Sequence, residues 1–201
     1  MSDMNLNENL SSTPQDRREL MDLVERMQGA FTTIAKSKIP TIALAHGFCI
    51  GGATSLVSAC DIRLATKDAK FSIGETKLGL VADVGVIQRM PKIVSSGDMN
   101  ELALTGRIFD GEHAEKIRFV SKAYGNSDEL FEAGEKLANE ISSNSKRIVQ
   151  ATKEALEKSS NLTVDQGLEY AKLWSTSFLV SEDLREGVMA FLEKRDPKFN
   201  E

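Results

Sequence analysis

Residues 47–85 read GFCIGGATSLVSACDIRLATKDAKFSIGETKLGLVADVG, and the order of elements in this stretch decides the fold. An apolar run, Thr41–Ala45, leads into it and reads as a short strand. Gly47, Gly51 and Gly52 follow, and Ala53–Ala59 reads as a short helix of small residues that packs closely. Asp61–Ala65 is a second buried strand and Lys70–Ile73 a third. Short strands separated by helices predict an α/β arrangement with parallel pairing.

Working outward, residues 1–14 are polar, with Asn, Ser and Pro, and read as a flexible N-terminal segment. From Gln15 to Ala35 the apolar residues Leu20, Leu23, Met27, Phe31 and Ile34 recur at three and four, one face of a helix. Beyond the opening stretch, Val84–Leu104 has a helical pattern in which Pro91 marks a kink or a boundary. Gly106–Phe109 reads as a turn, Glu112–Ile117 as a short helix and Phe119–Tyr124 as a strand. After Ser127 the pattern is almost entirely helical, in four segments, with Thr163 and Gln166 spaced as a capping box. The expected organisation is a flexible segment over 1–14, an α/β core over 15–126 and a helical region over 127–201.

The 201 residues suffice for one compact domain or one domain with a helical appendage. A net charge of −5 and the lack of a long basic run argue against a nucleic-acid binder. Two cysteines, Cys49 and Cys60, are too few for a disulfide scaffold and show no metal-ligand spacing, so they read as buried thiols. No apolar run reaches the roughly 18–20 residues of a membrane span. The first twenty residues are unlike a signal or transit peptide, and KFNE is not a peroxisomal address.

Two acids and a glycine turn carry the candidate chemistry. Glycines between a strand and a helix let the backbone approach a ligand, and a helix start leaves amide N–H groups free to hold an anion or oxyanion. The competing reading of GFCIGGATS is a tight turn whose glycines serve packing. Glu75 follows a strand and precedes TKLGLV. Asp83 stands among apolar neighbours where a helix begins. Such carboxylates are costly to ionise unless partnered, which shifts them toward acid–base work. The alternatives are an exposed turn residue for Glu75 and a helix N-cap for Asp83. His46 reads as a structural or rim residue and His113 as solvated. Trp174 reads as core or interface, and Lys194 and Lys198 as surface residues or phosphate contacts.

Taken together, the run IPTIALAHGFCIGGATSLVSACDIRLATKDAKFSIGETKLGLVADVGVIQRMPKIV resembles the enoyl-CoA hydratase/isomerase (crotonase) superfamily. The segments LTGRIFDGEHAEK and EDLREGVMAFLEKRDPKF extend the likeness over residues 15–198. ADVGVIQRMPK and LVSACDIR are most similar to the dienoyl-CoA isomerases. The resemblance implies a crotonase-like ββα spiral core followed by a helical trimerisation region. It implies that the Gly52 N–H is half of an oxyanion hole for a thioester carbonyl, and that Glu75 and Asp83 are the catalytic acids. Gly51, Ser55 and Leu80 fall in the implied substrate pocket. Ser55 stands where hydratases carry a glutamate and dienoyl-CoA isomerases an aspartate, which points away from activating water between two glutamates. Arg118 stands where a glycine is common, so the local turn is expected to differ. Family members carry further strands, part of the CoA pocket and a second oxyanion donor ahead of the point that matches Met1.

The activity implied is isomerisation of an unsaturated fatty acyl-CoA from 3,5- to 2,4-dienoyl form. No metal or redox cofactor is expected, since the CoA belongs to the substrate. The partners expected are the acyl-CoA thioester and further copies of the chain, as a homotrimer or dimer of trimers. The resemblance points to a mitochondrion or peroxisome. The alternatives are a 3-enoyl to 2-enoyl-CoA isomerase using Glu75 alone, a hydratase-like protein, and an acyl-CoA-binding or assembly subunit with impaired catalysis.

Overall fold

The computed structural model describes residues 13–199. The flexible segment expected over 1–14 falls outside that range except for Thr13 and Pro14. These two open helix α1 (Pro14–Ala35): Thr13 caps it, its hydroxyl accepting from the Asp16 N–H while the Asp16 carboxylate accepts from the Thr13 N–H. Pro14 suits the first turn because its missing N–H would be unpaired there anyway.

Two three-stranded sheets follow. Strands β1 (Ile42–Ala45), β3 (Ile62–Thr66) and β6 (Lys122–Tyr124) form one, ordered β1-β3-β6 and parallel throughout. Strands β2 (Phe48–Ile50), β4 (Lys70–Ser72) and β5 (Phe109–Asp110) form the other, ordered β2-β4-β5. There β2 and β4 run parallel, while β5 is antiparallel to β4. The chain thus places one strand in each sheet on each pass: β1 then β2, β3 then β4. Helix α2 (Gly52–Ala59) carries it back between the two passes. Gly47 makes the first switch between sheets at φ +63°, a left-handed value that suits glycine.

Helices α3 (Val86–Arg89), α4 (Ser96–Thr105) and α5 (Gly111–Lys116) complete the core. The single helical pattern read over 84–104 is two helices. Pro91 sits in a 3-10 turn, Met90–Lys92, and Ser95 starts α4 by accepting from the Asp98 N–H. Strands β2 and β5 were not anticipated, and the strand expected from Phe119 begins only at Lys122. Arg118 takes the left-handed conformation itself, at φ +63°.

The core is built on Phe71, Phe109 and Phe119, whose ring centroids lie 5.4–6.2 Å apart. Val86, Met90 and Leu102 close around them, each almost fully buried. Each such side chain contributes about 1.5–3 kcal/mol by leaving water. Gly111 lies so close to the Thr66 carbonyl that no Cβ fits between them.

Helices α6 (Ser127–Ser142), α7 (Lys146–Ser159), α8 (Val164–Phe178) and α9 (Glu182–Glu193) form the helical region. Lys153 on α7 ties it to the core through Asp61, whose Oδ2 also accepts from the Thr41 N–H and hydroxyl. Ser145 and Arg147 both donate to the buried Asp183 at the start of α9. The capping box expected at Thr163 and Gln166 opens α8.

Candidate functional site

The site is built where β2 turns into α2. Gly51 is the N-cap of α2 at φ +58°, and its N–H donates to the Ser72 carbonyl of β4. Its own carbonyl accepts the first intrahelical bond, from the Ser55 N–H at 3.1 Å. Gly52 is therefore the first residue of the helix, and its N–H has no acceptor a turn earlier. A Cβ at Gly52 would meet open space, so the backbone there is accessible to a ligand. Thr54 stiffens the turn by donating to the Cys49 and Ser72 carbonyls.

Glu75 is delivered to this turn by a 3-10 segment, Gly74–Leu78, directly after β4. Because β4 pairs with β2 in parallel register, the residues leaving both strands lie side by side. The Glu75 Oε1 sits 3.4 Å from where a Cβ on Gly51 would stand, and its Oε2 is buried without a hydrogen-bond partner. A carboxyl oxygen shut away from water and unpaired is expensive, and a proton or a substrate group placed there relieves the cost. The reading of Glu75 as an exposed turn residue is set aside, since it is half-buried against the glycine turn.

Asp83 lies at the end of the loop that follows. Leu80 N–H donates to the Glu75 carbonyl, Gly79 is left-handed at φ +72°, and the chain then alternates. Ala82 and Val84 point inward, 5% and 6% exposed, so Val81 and Asp83 point outward. The side chain expected among apolar neighbours is thus exposed, and it is those neighbours that are buried. Nor is Asp83 a helix cap: Gly85 occupies that position of α3, with no side-chain bond. Gly85 has φ +112°, and a Cβ on it would collide with the Arg89 guanidinium. Arg89 in turn donates to the Val84 carbonyl and to the Thr32 hydroxyl of α1, and burial lowers its pKa.

The remaining predicted residues divide. Gly51, Gly52 and Glu75 are brought together. Ser55 is one turn into α2, fully buried, with its hydroxyl oxygen unpartnered. Leu80 is 61% exposed and stands with Leu78 and Val81 on an apolar ridge beside the Glu75 turn. Ile50 adds to that surface, with its Cγ2 3.5 Å from the Cβ position of Gly74. Gln28 was not anticipated: its Nε2 donates to the Asp83 carbonyl at 2.6 Å, across 55 positions of sequence. Nothing in the α1 pattern marks it, because it lies off the apolar stripe.

Among the described residues no group of three or more His, Cys, Asp or Glu side chains is placed to hold a metal ion. No helix there is long and apolar enough to cross a membrane. A concavity of about 680 Å³ lies among α7, α8 and α9 and is lined by Ala151, Trp174, Phe178, Val188 and Phe191. Trp174 and Phe178 stack in it at 5.7 Å. It is apolar, and its carboxylate, Asp183, is already engaged by Ser145. It offers burial rather than acid–base chemistry.

Residues 7–201 match the family model described as enoyl-CoA hydratase/isomerase. The chain is 46% identical over 188 residues to a Dictyostelium discoideum protein named Delta(3,5)-Delta(2,4)-dienoyl-CoA isomerase, mitochondrial, covering 94% of this chain and 64% of that one. It is 42% identical over 193 residues to the peroxisomal protein of the same name from Arabidopsis thaliana, covering 94% and 69%. Among solved structures, an enoyl-CoA hydratase from Bacillus anthracis superimposes with a TM-score of 0.84 at 28% identity, over 96% of this chain and 74% of that one. The chain spans about two thirds of the length of these curated relatives.

Proposed function

The chain belongs to the enoyl-CoA hydratase/isomerase family, and on that footing we propose that it moves the double bonds of an unsaturated fatty acyl-CoA from the 3,5 to the 2,4 positions. The observation that carries this reading is the half-buried Glu75, one oxygen against the Gly51 turn and the other without a partner. The names of the Dictyostelium and Arabidopsis relatives supply the substrate class.

The reaction needs one group to take a proton from C2, one to hold the resulting dienolate oxygen, and one to return a proton at C6. Asp83 is the base. Being exposed, it passes its captured proton to solvent between turnovers. The Gly52 N–H, at a helix start, faces the dienolate oxygen, where developing negative charge gains most from an oriented dipole. Glu75, half-buried against the glycine turn, delivers the proton to C6. Each turnover leaves Asp83 with one proton more and Glu75 with one fewer, solvent takes the first and resupplies the second, and with no change of oxidation state the step calls for no redox group. The apolar ridge of Leu78, Leu80 and Val81 suits an acyl chain.

Assembly is part of the proposal. Leu173 in α8, Val180 in the turn after it, and Phe191 and Leu192 in α9 are each more than two-thirds exposed, apolar surface of the kind that marks an interface. A homotrimer, or a dimer of trimers, would cover it. The compartment we propose is the mitochondrion or the peroxisome, after the two relatives.

The test is spectroscopic, with a 3,5-dienoyl-CoA and a 3-enoyl-CoA offered to the chain and to Asp83→Asn and Glu75→Gln. Loss of diene turnover in both variants is expected, by about a hundredfold or more. Wild-type diene turnover in Asp83→Asn would remove its role as base. Monoene turnover that survives that substitution would favour isomerisation by Glu75 alone.

A further inference from the structure

Asp83 stands in a loop without a strand or helix to hold it. From Gly79 to Gly85 the backbone runs outside regular structure, yet the proposed base has to be aimed at one carbon. Burial of Ala82 and Val84 fixes which side of the chain faces outward, but not the rotation of the peptide planes between them. Three bonds fix that rotation. Leu80 N–H to the Glu75 carbonyl anchors the start of the loop, and Arg89 Nη1 to the Val84 carbonyl anchors its end. The third is Gln28 Nε2 to the carbonyl of Asp83 itself.

The last two converge on one helix. Gln28 bonds the loop directly, and Thr32 accepts from Arg89 Nη2 at 3.2 Å. Residues four apart lie on one face of a helix. That same helix, α1, packs against α2, which opens with Gly52. So the brace that orients the base also touches the element that carries the oxyanion donor. Resting on the proposed isomerisation, we infer that Gln28 is a positioning residue. It locks the Asp83 peptide plane, and through α1 it holds the base in register with the oxyanion helix.

The expected signature differs from that of a residue needed only for stability. Gln28 is exposed, so losing one hydrogen bond leaves the melting temperature nearly unchanged. A small misplacement of a catalytic group is costly, up to about a hundredfold for 1 Å. Gln28→Met keeps the length and helix propensity of the side chain and removes its donor. We expect kcat for the diene to fall about tenfold with KM close to wild type. Backbone amides between Ala82 and Gly85 should exchange with deuterium faster, while those of α2 and β4 keep their rates. Glu25→Ala, on the same helix without contact to the loop, should change neither readout.

The outcomes separate cleanly. Unchanged amide exchange across 82–85 in Gln28→Met overturns the inference, because the loop is then held without it. Faster exchange with wild-type kcat also overturns it, provided Asp83→Asn is inactive. Full activity in Asp83→Asn, or no diene turnover by the unmodified chain, overturns the underlying reading of the site and this inference with it.

Discussion

Helix α2 has eight residues, five of them buried; α8 has fifteen, none of them buried. Yet α8 is the better helix by local criteria. It carries a full capping box, while α2 starts on glycines without any side-chain cap. Local signals and burial are therefore decoupled here. Helix α2 exists because small residues, Ala53 to Ala59, let it pack closely against α1, α3 and β2, and packing offsets its weak start. Helix α8 forms on its own signals and keeps its apolar residues, such as Leu168 and Leu173, uncovered. One helix is made by its surroundings, and the other by its own local signals.

The contrast breaks most visibly in the core. Gly111→Ala puts a methyl group into the Thr66 carbonyl, backbone against backbone, and should cost about 3 kcal/mol in urea unfolding. A near-neutral result would mean that the core yields as readily as the tail. In the tail, Val188→Ser together with Phe191→Ser should leave helical circular dichroism intact and weaken self-association about tenfold or more, read by light scattering. An unchanged mass would take α9 out of the interface.

Smaller effects sharpen the same comparison. Arg118 pays for a left-handed conformation just ahead of the buried Phe119, so Arg118→Gly should gain up to about 1 kcal/mol, seen as a raised urea midpoint. On the exposed side of α9, Arg195 bonds both oxygens of Glu186, and the Lys198 N–H adds a third bond. These hold the Glu186 carboxyl down at about 2, against an ordinary 4.5. The pKa is depressed, so the contribution is complete above the ordinary value and fades as the pH falls toward about 2. Carboxylate NMR should find Glu186 ionised where other glutamates have titrated, and Arg195→Ala should return it to the ordinary range.

Much of this was legible in the amino acids. Strands β1, β3 and β4 and helix α2 announce themselves as short segments set off by Pro40, by the glycines at 47, 51 and 52, and by the charged residues at 61, 67 and 68. Strands β2 and β5 do not, because three residues and two residues are too short to show a period, and Phe48 and Ile50 sit among glycines that read as a turn. The meeting of Gly51 with Glu75 rests on β2 pairing with β4, so it was accessible only through family resemblance. The exposure of Asp83 was misread for a physical reason. In an extended loop, apolar neighbours alternate away from the residue they flank, so Ala82 and Val84 bury themselves and turn Asp83 out. Gln28 was invisible, since a polar residue off the stripe of an amphipathic helix looks like any solvated one. The stripe of α1 itself was read correctly as one helical face, but Leu20 and Leu23 on it remain exposed.

The close approach of Arg89 to Gly85 has a consequence for how this loop can change over generations. The guanidinium fills the space that a side chain at 85 would need, and it is the same group that ties Val84 to Thr32. Any residue at 85 larger than glycine must first displace that tie, while shortening Arg89 frees the space and loosens the loop. The two positions are thus locked as a pair. A change at either position therefore acts on the other, through the guanidinium they share and the left-handed backbone at 85.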